Sequence, residues 1–282
     1  MPASTLYRQD ILAKLLAAAA TAAEVVMQVY SEADVGVELK GPNDPVTRAD
    51  KEANALLIEL LTRDFPGVPI VAEESDPSTF ARFTSAPHAL YVDPVDGTRE
   101  FIARNGEFAV MIGFAEAGVA TVGVIDCPAL GEIYAAAAGS EAFCMVKGGP
   151  RTAIHVSELT DLAACRCAVS RFHRSKSVDA KLAALGLKEL VPIGSAGLKG
   201  VRLASGAVDI YAHPSTGPVK LWDACAPEAI VRAAGGLYTG ASGRPFDYRG
   251  PLAQNDGTLA ANPTLHAEAV RRFANAVTEK PS

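Results

Sequence analysis

The sequence has few cysteines, no excess of positive charge and no long apolar run, and each shortage excludes a class of protein. Its five cysteines are an odd number in a chain of 282 residues, which argues against a secreted protein built on disulfides. Lysine and arginine total 26 against 32 aspartates and glutamates, a net charge of -6, so nucleic acids and anionic membranes are poor partners. No apolar stretch reaches the roughly 18 to 20 residues that span a bilayer. We therefore expect a cytoplasmic protein without a transmembrane segment or a nucleic-acid partner, either a monomer or a homodimer.

Hydrophobic spacing in the first half predicts two helices separated by a loop. Hydrophobic residues form 49% of the chain, enough for one large core or two smaller ones. Apolar residues recur at helical spacing over Tyr7–Tyr30 and again over Ala49–Leu61. The segment Gly41–Pro45 between them has two prolines and a glycine, which do not fit a helix or a strand ladder. We expect a loop there.

Short apolar runs predict the strands of the same half. The first two cover Val68–Ala72 and Ala89–Val92, and the second should end at Asp93-Pro94 because proline cannot continue the ladder. Three more runs between residues 108 and 138 are separated by turn residues, which is typical of an antiparallel meander. Residues 1–150 should therefore form one domain, in which helices cover a mostly antiparallel sheet.

The second half alternates strands with helices. Strands are predicted at 168–170, 190–193 and 208–212, and helices at 178–185, 198–204 and 224–234. Gly235-Gly236 closes the last helix. This alternation is typical of an α/β layer packed on the first half. We expect a second domain over residues 151–282 and an α/β fold overall.

Carboxylates stand at the ends of apolar runs in four places. They are Asp50, Glu73-Glu74, the pair Asp93 and Asp96 in the element Asp93–Thr98, and Asp223 after Trp222. Mg²⁺ takes oxygen ligands and keeps several waters, so four or five converging carboxylates would make a site for two or three metal ions. Bound metals would also supply the positive charge that an acidic protein needs to bind a phosphorylated metabolite.

The element Asp93–Thr98 is the sharpest of these signals. Asp93 and Asp96 are close enough across a proline turn to ligate neighbouring ions, and a carboxylate that bridges two metals suits in-line phosphoryl displacement. Gly97 permits the close approach of a ligand. The Thr98 hydroxyl could pass a proton from a metal-bound water to Asp50, which would leave hydroxide as the nucleophile.

Each acidic group also has an ordinary structural interpretation. Glu73 and Glu74 could form a surface turn, Asp93 could be a cap, and Asp223 could be the N-cap of the helix that follows it. Taken singly, these interpretations are favoured. Only the complete ordered series favours a metal site.

That series resembles the signature of the inositol monophosphatase superfamily, which are Mg²⁺-dependent and lithium-sensitive phosphatases. The residues that carry the resemblance are Asp50, Glu73-Glu74, Asp93–Thr98, Trp222-Asp223 and Gly235-Gly236. The resemblance implies a layered αβαβα sandwich and two or three Mg²⁺ ions. It implies that the metal ligands are Glu73, Asp93, the Val95 carbonyl, Asp96 and Asp223. It further implies that Asp50, Thr98 and Glu74 are catalytic, with Glu74 behind the ligands.

Several other stretches are similar to the 3′(2′),5′-bisphosphate nucleotidase branch of the superfamily. They are Pro45–Asp50, Thr98–Phe108, Ser170–His173, Gly194–Lys199 and Lys220–Ile230. A bisphosphate carries a second phosphate that the metals do not reach. For that phosphate Lys199 offers a cation, while Ser170, His173 and Ser195 offer hydrogen bonds and Gly197 lets the backbone approach. The implied substrate-binding set is Glu73, Val95, Asp96, Gly97, Thr98, Ser170, His173, Ser195, Gly197, Lys199 and Asp223.

The branch resemblance implies an enzyme that removes the 3′-phosphate of adenosine 3′,5′-bisphosphate, a by-product of sulfate assimilation, and that Li⁺ inhibits. An inositol or other sugar monophosphatase is the alternative in the same class, and it would not need Ser170, His173 and Lys199. A binding protein without activity is the alternative from another class. The pair Asp50 and Thr98 argues against it, because binding alone does not require an activated water.

Overall fold

Helices alternate with two large sheets through the structure. The computed structural model describes residues 3–80, 82–172, 175–214 and 217–278. Within these ranges the helices are α1 (Ala3–Ser31), α2 (Arg48–Asp64), α3 (Thr98–Ile102), α4 (Lys176–Ala183), α5 (Ala196–Ala204), α6 (Leu221–Ala233) and α7 (Pro263–Thr278). The strands of the first half are β1 (Glu38–Gly41), β2 (Asp44–Val46), β3 (Ile70–Ala72), β4 (His88–Asp96), β5 (Ala109–Glu116), β6 (Val119–Cys127), β7 (Glu132–Ala137) and β8 (Phe143–Val146). The remaining strands are β9 (Thr152–Ala153), β10 (Arg166–Ser170), β11 (Glu189–Ile193), β12 (Ile210–His213), β13 (Val219–Lys220), β14 (Leu237–Thr239), β15 (Ala253–Gln254) and β16 (Thr258–Ala261).

The strands form two large sheets and two small ribbons. Strands β3 to β9 form a seven-stranded sheet in chain order, in which β3 is parallel to β4 and the later neighbours are antiparallel. A five-stranded sheet has the order β11-β10-β12-β16-β14, with β10 parallel to both β11 and β12. Antiparallel ribbons join β1 to β2 and β13 to β15.

Three buried clusters stack these elements into five layers. Helices α1 and α2 pack residues such as Leu15 and Leu57 against one face of the seven-stranded sheet. Helices α5 and α6 fill the space between the two sheets, and α4 and α7 cover the outer face of the five-stranded sheet. The order is helix, sheet, helix, sheet, helix, so the predicted αβαβα sandwich is confirmed. The division into domains at residues 1–150 and 151–282 stays a prediction.

Helix α6 lies directly on the backbone of the seven-stranded sheet. A Cβ atom on Gly113 in β5 would lie 2.6 Å from Cys225 Sγ, and one on Gly123 in β6 would lie 2.4 Å from the Ala226 carbonyl oxygen. Both distances are too short for non-bonded atoms. Glycine at these two positions therefore lets α6, and Asp223 with it, approach the strands closely.

Most elements lie where the sequence predicts them. Helix α1 includes the predicted Tyr7–Tyr30 helix, β5 to β7 form the predicted antiparallel meander, and strands and helices alternate from β10 to α6. All five cysteines are free. Over the ranges that the structure describes, we find no helix with the length and apolarity that a membrane crossing requires.

Two proline-containing segments form strands where the sequence predicts none. Strand β4 continues past Pro94 to Asp96, with a shift of register against β5 that begins at Asp93. Such a bulge accommodates a residue that cannot donate to the ladder. The expected loop at 41–45 instead contains parts of β1 and β2, where Pro45 pairs with Leu39. Both strands of a two-stranded ribbon are edges, and edges tolerate proline; both sequence predictions are therefore wrong.

Asp126 makes the stability of the fold depend on pH. It lies on β6 between Val110 and Ile133, on the face that α1 and α2 cover, and is 5% exposed. Burial raises the pKa of Asp126 to about 7, so the folded chain keeps a proton that the unfolded chain loses near pH 4. The stabilisation linked to this carboxyl group is therefore complete below about pH 4 and is lost as the pH rises through 7.

We expect Asp126→Asn to remove this dependence, because an amide does not ionise. Between pH 5 and 7, each pH unit should add up to about 1.4 kcal/mol to the stability of the variant relative to the wild type. Urea unfolding at several pH values measures the free energy of unfolding of both. Asp256→Asn, at a side chain that is 64% exposed, is the control and should show no such trend. A wild-type advantage that grows with pH would contradict the prediction.

Candidate active site

A cavity of about 340 Å³ is lined by residues from both halves of the sequence. The sequence-predicted residues in its wall are Glu73, Asp93, Val95, Asp96, Gly97, Thr98, Ser170, Ser195, Lys199 and Asp223. Three more predicted residues lie beside the cavity. Asp50 bonds to Thr98 and Gly197 bonds to Asp96, both in the cavity wall, while Glu74 bonds to Lys40 in β1. His173 lies outside the described residues. The structure therefore brings the acidic series to one place with Ser170, Ser195 and Lys199, three of the residues predicted to bind a second phosphate.

The bulge at the end of β4 carries a deeply buried carboxylate. Asp93 Oδ1 accepts a hydrogen bond from the Val95 N–H at 3.0 Å. Burial raises the pKa of Asp93 well above its usual value, and the negative charges of Glu73, Asp96 and Asp223 raise it further. Burial and the charges of Glu73 and Asp96 likewise raise the pKa of Asp223. Buried carboxylates that repel one another are the donor set that a hard divalent cation fits.

Asp96 is turned toward the start of α5. Its carboxylate accepts hydrogen bonds from the Ser195 hydroxyl, from the Ala196 N–H at 3.0 Å and from the Gly197 N–H at 2.7 Å. These N–H groups have no partner within the helix, and a carboxylate is the acceptor that the positive end of the helix dipole favours. Asp96 thus connects the acidic series to the opposite wall of the cavity.

Lys40 in β1 lies on the other side of the acidic series. Its Nζ lies 3.0 Å from Glu73 Oε1 and 2.5 Å from Glu74 Oε1. Partial burial lowers the pKa of Lys40, but the two carboxylates outweigh burial and raise it overall. With Glu73 on Lys40 and Asp96 on α5, no three His, Cys, Asp or Glu side chains of the described residues are arranged to hold a metal as they stand.

Asp50 and Thr98 meet beside the cavity. Thr98 Oγ1 lies 3.0 Å from Asp50 Oδ1 and 3.2 Å from the Val95 carbonyl oxygen. The other oxygen of Asp50 accepts hydrogen bonds from the Thr47 hydroxyl at 2.5 Å and the Thr47 N–H at 2.8 Å, which closes the first turn of α2. Burial raises the pKa of Asp50, and the hydrogen bonds from Thr47 and Thr98 oppose that shift in part. The carboxylate is thus held with one oxygen toward Thr98.

The two glycines of the predicted set are confined by protein atoms. Gly97 has φ +97°, and a Cβ there would lie 2.9 Å from the Glu107 carbonyl oxygen. A Cβ on Gly197 would lie 2.3 Å from Met111 Sδ. Contacts within the protein therefore explain glycine at both positions. Of the two, Gly97 lines the cavity, so the predicted approach of a ligand applies more directly there.

Lys199 is buried in α5, and its ammonium group faces backbone oxygens. Its Nζ lies 2.6 Å from the Ser195 carbonyl oxygen and 3.4 Å from that of Ile193. It also lies 5.5 Å from the centre of the Tyr211 ring. Burial lowers the pKa of Lys199, while the charges of Asp96 and its acidic neighbours oppose this shift. An ammonium group has three N–H donors, so one is left for an anion in the cavity.

Three hydroxyl-bearing residues of the cavity wall are absent from the sequence-based set. Tyr211 in β12, Tyr238 in β14 and Thr258 in β16 line the cavity, and the Thr258 side chain hydrogen-bonds both tyrosines. Each belongs to the five-stranded sheet and also packs in the core, so its sequence context is that of an ordinary strand residue. Only the pairing of these three strands brings their hydroxyl groups together.

Known proteins are similar to this chain along most of its length. A model described as the inositol monophosphatase family matches residues 8–278. The 3′(2′),5′-bisphosphate nucleotidase CysQ of Escherichia coli strain K12 is 35% identical over 231 residues, which cover 82% of this chain and 90% of the relative. The histidinol-phosphatase of Mycobacterium tuberculosis is 32% identical over 267 residues, which cover 94% of this chain and 98% of the relative. The crystal structure of CysQ from Bacteroides thetaiotaomicron has a TM-score of 0.75 and 28% identity, and the match covers 91% of this chain and 98% of that one.

Proposed function

The chain belongs to the inositol monophosphatase family, and from this premise we propose that it removes the 3′-phosphate of adenosine 3′,5′-bisphosphate, releasing AMP and phosphate. The observation that carries the proposal is that acidic residues and Lys199 line the same cavity. One side of the cavity suits the metal-assisted cleavage of a phosphate ester. The other suits an anion that the cleavage does not touch.

Mg²⁺, as two or three ions, is the proposed cofactor. Its ligands would be Glu73, Asp93, the Val95 carbonyl, Asp96 and Asp223. Bound Mg²⁺ would neutralise the phosphoryl oxygens and make a coordinated water more acidic. The pKa values of Asp93 and Asp223, raised by burial and then by the charges of their acidic neighbours, support the proposal, because a bound cation would offset both causes. Inhibition by Li⁺ belongs to the same proposal.

Asp50 and Thr98 would prepare the attacking water. Thr98 Oγ1 already lies 3.0 Å from Asp50 Oδ1, so the hydroxyl can give its proton to the carboxylate as it takes one from the water. The raised pKa of Asp50, caused by burial, favours acceptance of that proton. Glu74 would not bind the metal itself but would influence the ligand Glu73, since both carboxylates bond to Lys40.

The second phosphate would lie against Lys199, Ser170 and Ser195, and the Ser195 hydroxyl would have to leave Asp96 to donate to it. The E. coli relative, which is named a 3′(2′),5′-bisphosphate nucleotidase, supports the choice of a nucleotide bisphosphate. A place in sulfate assimilation follows from the proposed substrate. The five free cysteines suit the reducing cytoplasm in which we expect the enzyme to work.

A monophosphate such as histidinol phosphate is the second candidate substrate. The alignment with the histidinol-phosphatase of M. tuberculosis extends over 94% of this chain, more than the alignment with the E. coli relative. A monophosphate would use the acidic side of the cavity in the same way. It would leave the cation of Lys199 without a phosphate partner.

Phosphate release from adenosine 3′,5′-bisphosphate, histidinol phosphate and inositol 1-phosphate tests the proposal. Each is measured with Mg²⁺, with EDTA and with millimolar Li⁺. We expect kcat/KM for the bisphosphate to exceed the others by about a hundredfold, the effect of roughly 2.7 kcal/mol of extra binding, and activity to disappear with EDTA. Preference for a monophosphate would overturn the substrate and keep the reaction. No release from any ester would favour binding without catalysis.

Adenosine 3′-monophosphate is the matched control for the second phosphate, since it keeps the scissile ester. Its KM should be about tenfold or more above that of the bisphosphate. Lys199→Met keeps the packed stem and removes the charge, so it should raise KM for the bisphosphate alone. Lys51→Met, at an exposed lysine of α2, should change neither. Equal KM values for both nucleotides in the wild type would contradict the role of Lys199.

A further inference from the structure

The side chain of Glu107, in the segment between α3 and β5, bonds two segments that flank Ser170 and Ser195 in the cavity wall. Arg171 donates from Nε to Glu107 Oε2 and from Nη2 to Oε1, both at 2.6 Å. The Gly194 N–H donates to Oε2 at 2.8 Å. Arg171 Nη2 also lies 2.6 Å from the Pro192 carbonyl oxygen. One carboxylate from the first half of the chain thus bonds the residue after β10 and the turn between β11 and α5, and Arg171 adds a bond to β11 itself.

The segments that Glu107 fixes carry hydroxyl groups of the cavity wall. Ser170 directly precedes Arg171, and Ser195 directly follows Gly194; both serines line the cavity. Ser195 has φ +56°, in a region that residues other than glycine rarely adopt. Such a conformation persists only where the surrounding contacts hold it. The Gly194 hydrogen bond to Glu107 is one of these contacts.

The backbone of Glu107 packs against the Gly97–Thr98 turn, on the acidic side of the cavity. Its carbonyl oxygen would lie 2.9 Å from a Cβ on Gly97, the residue before Thr98. The next residue, Phe108, is fully buried in the layer under α1 and α2. Glu107 is therefore anchored to the Thr98 turn through its backbone and to the serine wall through its side chain.

The Glu107–Arg171 pair has better geometry than an ordinary surface ion pair. Glu107 is 21% exposed and Arg171 is 36% exposed, and exposed pairs as such contribute little to stability. The two parallel N–H donors of Arg171 nevertheless fix direction as well as distance. Burial opposes ionisation, but the hydrogen bonds from Arg171 and Gly194 outweigh it and lower the pKa of Glu107. The carboxylate is charged at neutral pH, and its contribution is mainly to geometry.

We propose that Glu107 is a positioning residue for substrate selection, which sets the distance between the Thr98 turn and the wall that carries Ser170 and Ser195. A substrate with two phosphates must reach both sides at once, whereas a monophosphate needs only the Thr98 side. The inference rests on the proposed function in one respect, namely that the wall binds the second phosphate. Glu107 itself does not contact the substrate.

Glu107→Ala, Glu107→Gln and a matched control test the inference. Glu107→Ala should raise KM for adenosine 3′,5′-bisphosphate on the order of tenfold, with kcat and the KM for adenosine 3′-monophosphate within about twofold of the wild type. Glu107→Gln should have a KM for the bisphosphate between those of the wild type and Glu107→Ala, because an amide oxygen can still accept the hydrogen bond from the Gly194 N–H. The control is Glu132→Ala, which removes the 2.8 Å pair from β7 to Arg202 in α5 at the same 21% exposure. It should leave all four constants unchanged.

Hydrogen exchange without any substrate supplies a second readout. The peptide that covers residues 190–199 should exchange faster in Glu107→Ala than in the wild type, because the Gly194 N–H loses its acceptor. Glu132→Ala should not accelerate this peptide. Equal exchange in the wild type and Glu107→Ala would overturn the inference. Equal effects of Glu107→Ala and Glu132→Ala on KM and on exchange would also overturn it, because the loss of any ion pair near α5 would then have the same effect.

The two proposals fail in different ways. If the wild type does not prefer the bisphosphate, the proposed function fails, and the selection role of Glu107 fails with it. The exchange measurement still decides whether Glu107 holds the Gly194 turn. If the wild type prefers the bisphosphate and Glu107→Ala lowers kcat for both nucleotides equally, the function stands and the positioning role is wrong.

Discussion

Asp93→Asn is expected to lower kcat by roughly a thousandfold or more at saturating Mg²⁺. Asp93 lies at the bulge of β4, and its pKa is raised by burial and by the charges of Glu73 and Asp96. The amide has the same shape but cannot supply the negative charge that a bridging metal ligand provides. In EDTA the same variant should unfold at the same temperature as the wild type or a higher one, because one buried charge has been removed.

These opposite effects separate a metal ligand from a structural residue. If the role of Asp93 were purely structural, Asp93→Asn would lower both the activity and the unfolding temperature. Asp256→Asn, at an exposed carboxylate that lies 3.7 Å from Arg244, is the control and should change neither quantity. Near-normal turnover of Asp93→Asn at saturating Mg²⁺ would contradict the proposed role of Asp93 as a metal ligand. Phosphate release and thermal unfolding, each with Mg²⁺ and with EDTA, give the four values needed.

Gly123→Ala is expected to destabilise the protein by about 2 to 3 kcal/mol. The new Cβ would lie 2.4 Å from the Ala226 carbonyl oxygen and 3.1 Å from its Cα. Both are backbone atoms of α6, so relief requires the helix to move as a unit and not one side chain to rotate. Because α6 carries Asp223, turnover should fall as well. Urea unfolding measures the loss of stability, and phosphate release measures the loss of activity.

Gly41→Ala is the matched control for the substitution at Gly123. Gly41 has no heavy atom within 4 Å of an added Cβ, and its φ is not positive. Its substitution should change the free energy of unfolding by less than about 0.5 kcal/mol. A Gly123→Ala protein as stable as the wild type would mean that α6 does not pack on β6 as closely as the structure has it.

The acidic series was predictable because its members stand next to regular elements. Asp93 and Asp96 lie at the end of β4, Glu73 follows β3, and Asp223 is in the first turn of α6. The apolar runs that form these elements are visible in the sequence, whereas the five layers were expected only from the resemblance to the inositol monophosphatase superfamily. Strand β4 nevertheless extends past Pro94. The bulge between Asp93 and Asp96 places the proline where the strand ladder needs no N–H donor.

The partners of the site residues were not predictable from the sequence. Arg171 meets Glu107, and Lys40 meets Glu73, only because the fold brings segments distant in the sequence together. Charged residues in polar segments give no signal of which opposite charge they will reach. The hydroxyl group of Tyr211 is equally hidden, since a tyrosine in an apolar strand is an ordinary core residue. The roles assigned to the site residues stay predictions, and the variants described here test them.

The hydrogen bonds that Asp96 accepts from the start of α5 constrain how descendants of this protein can diverge. The other proposed metal ligands lie on or beside β3, β4 and α6, whereas Ser170 and Lys199 lie on β10 and α5. Mutations in that second group could change which ester is accepted while the inherited chemistry continues unaltered. Asp96 belongs to both groups, so a mutation there would alter turnover and selectivity together. Purifying selection should therefore act on Asp96 even in lineages whose substrate has drifted.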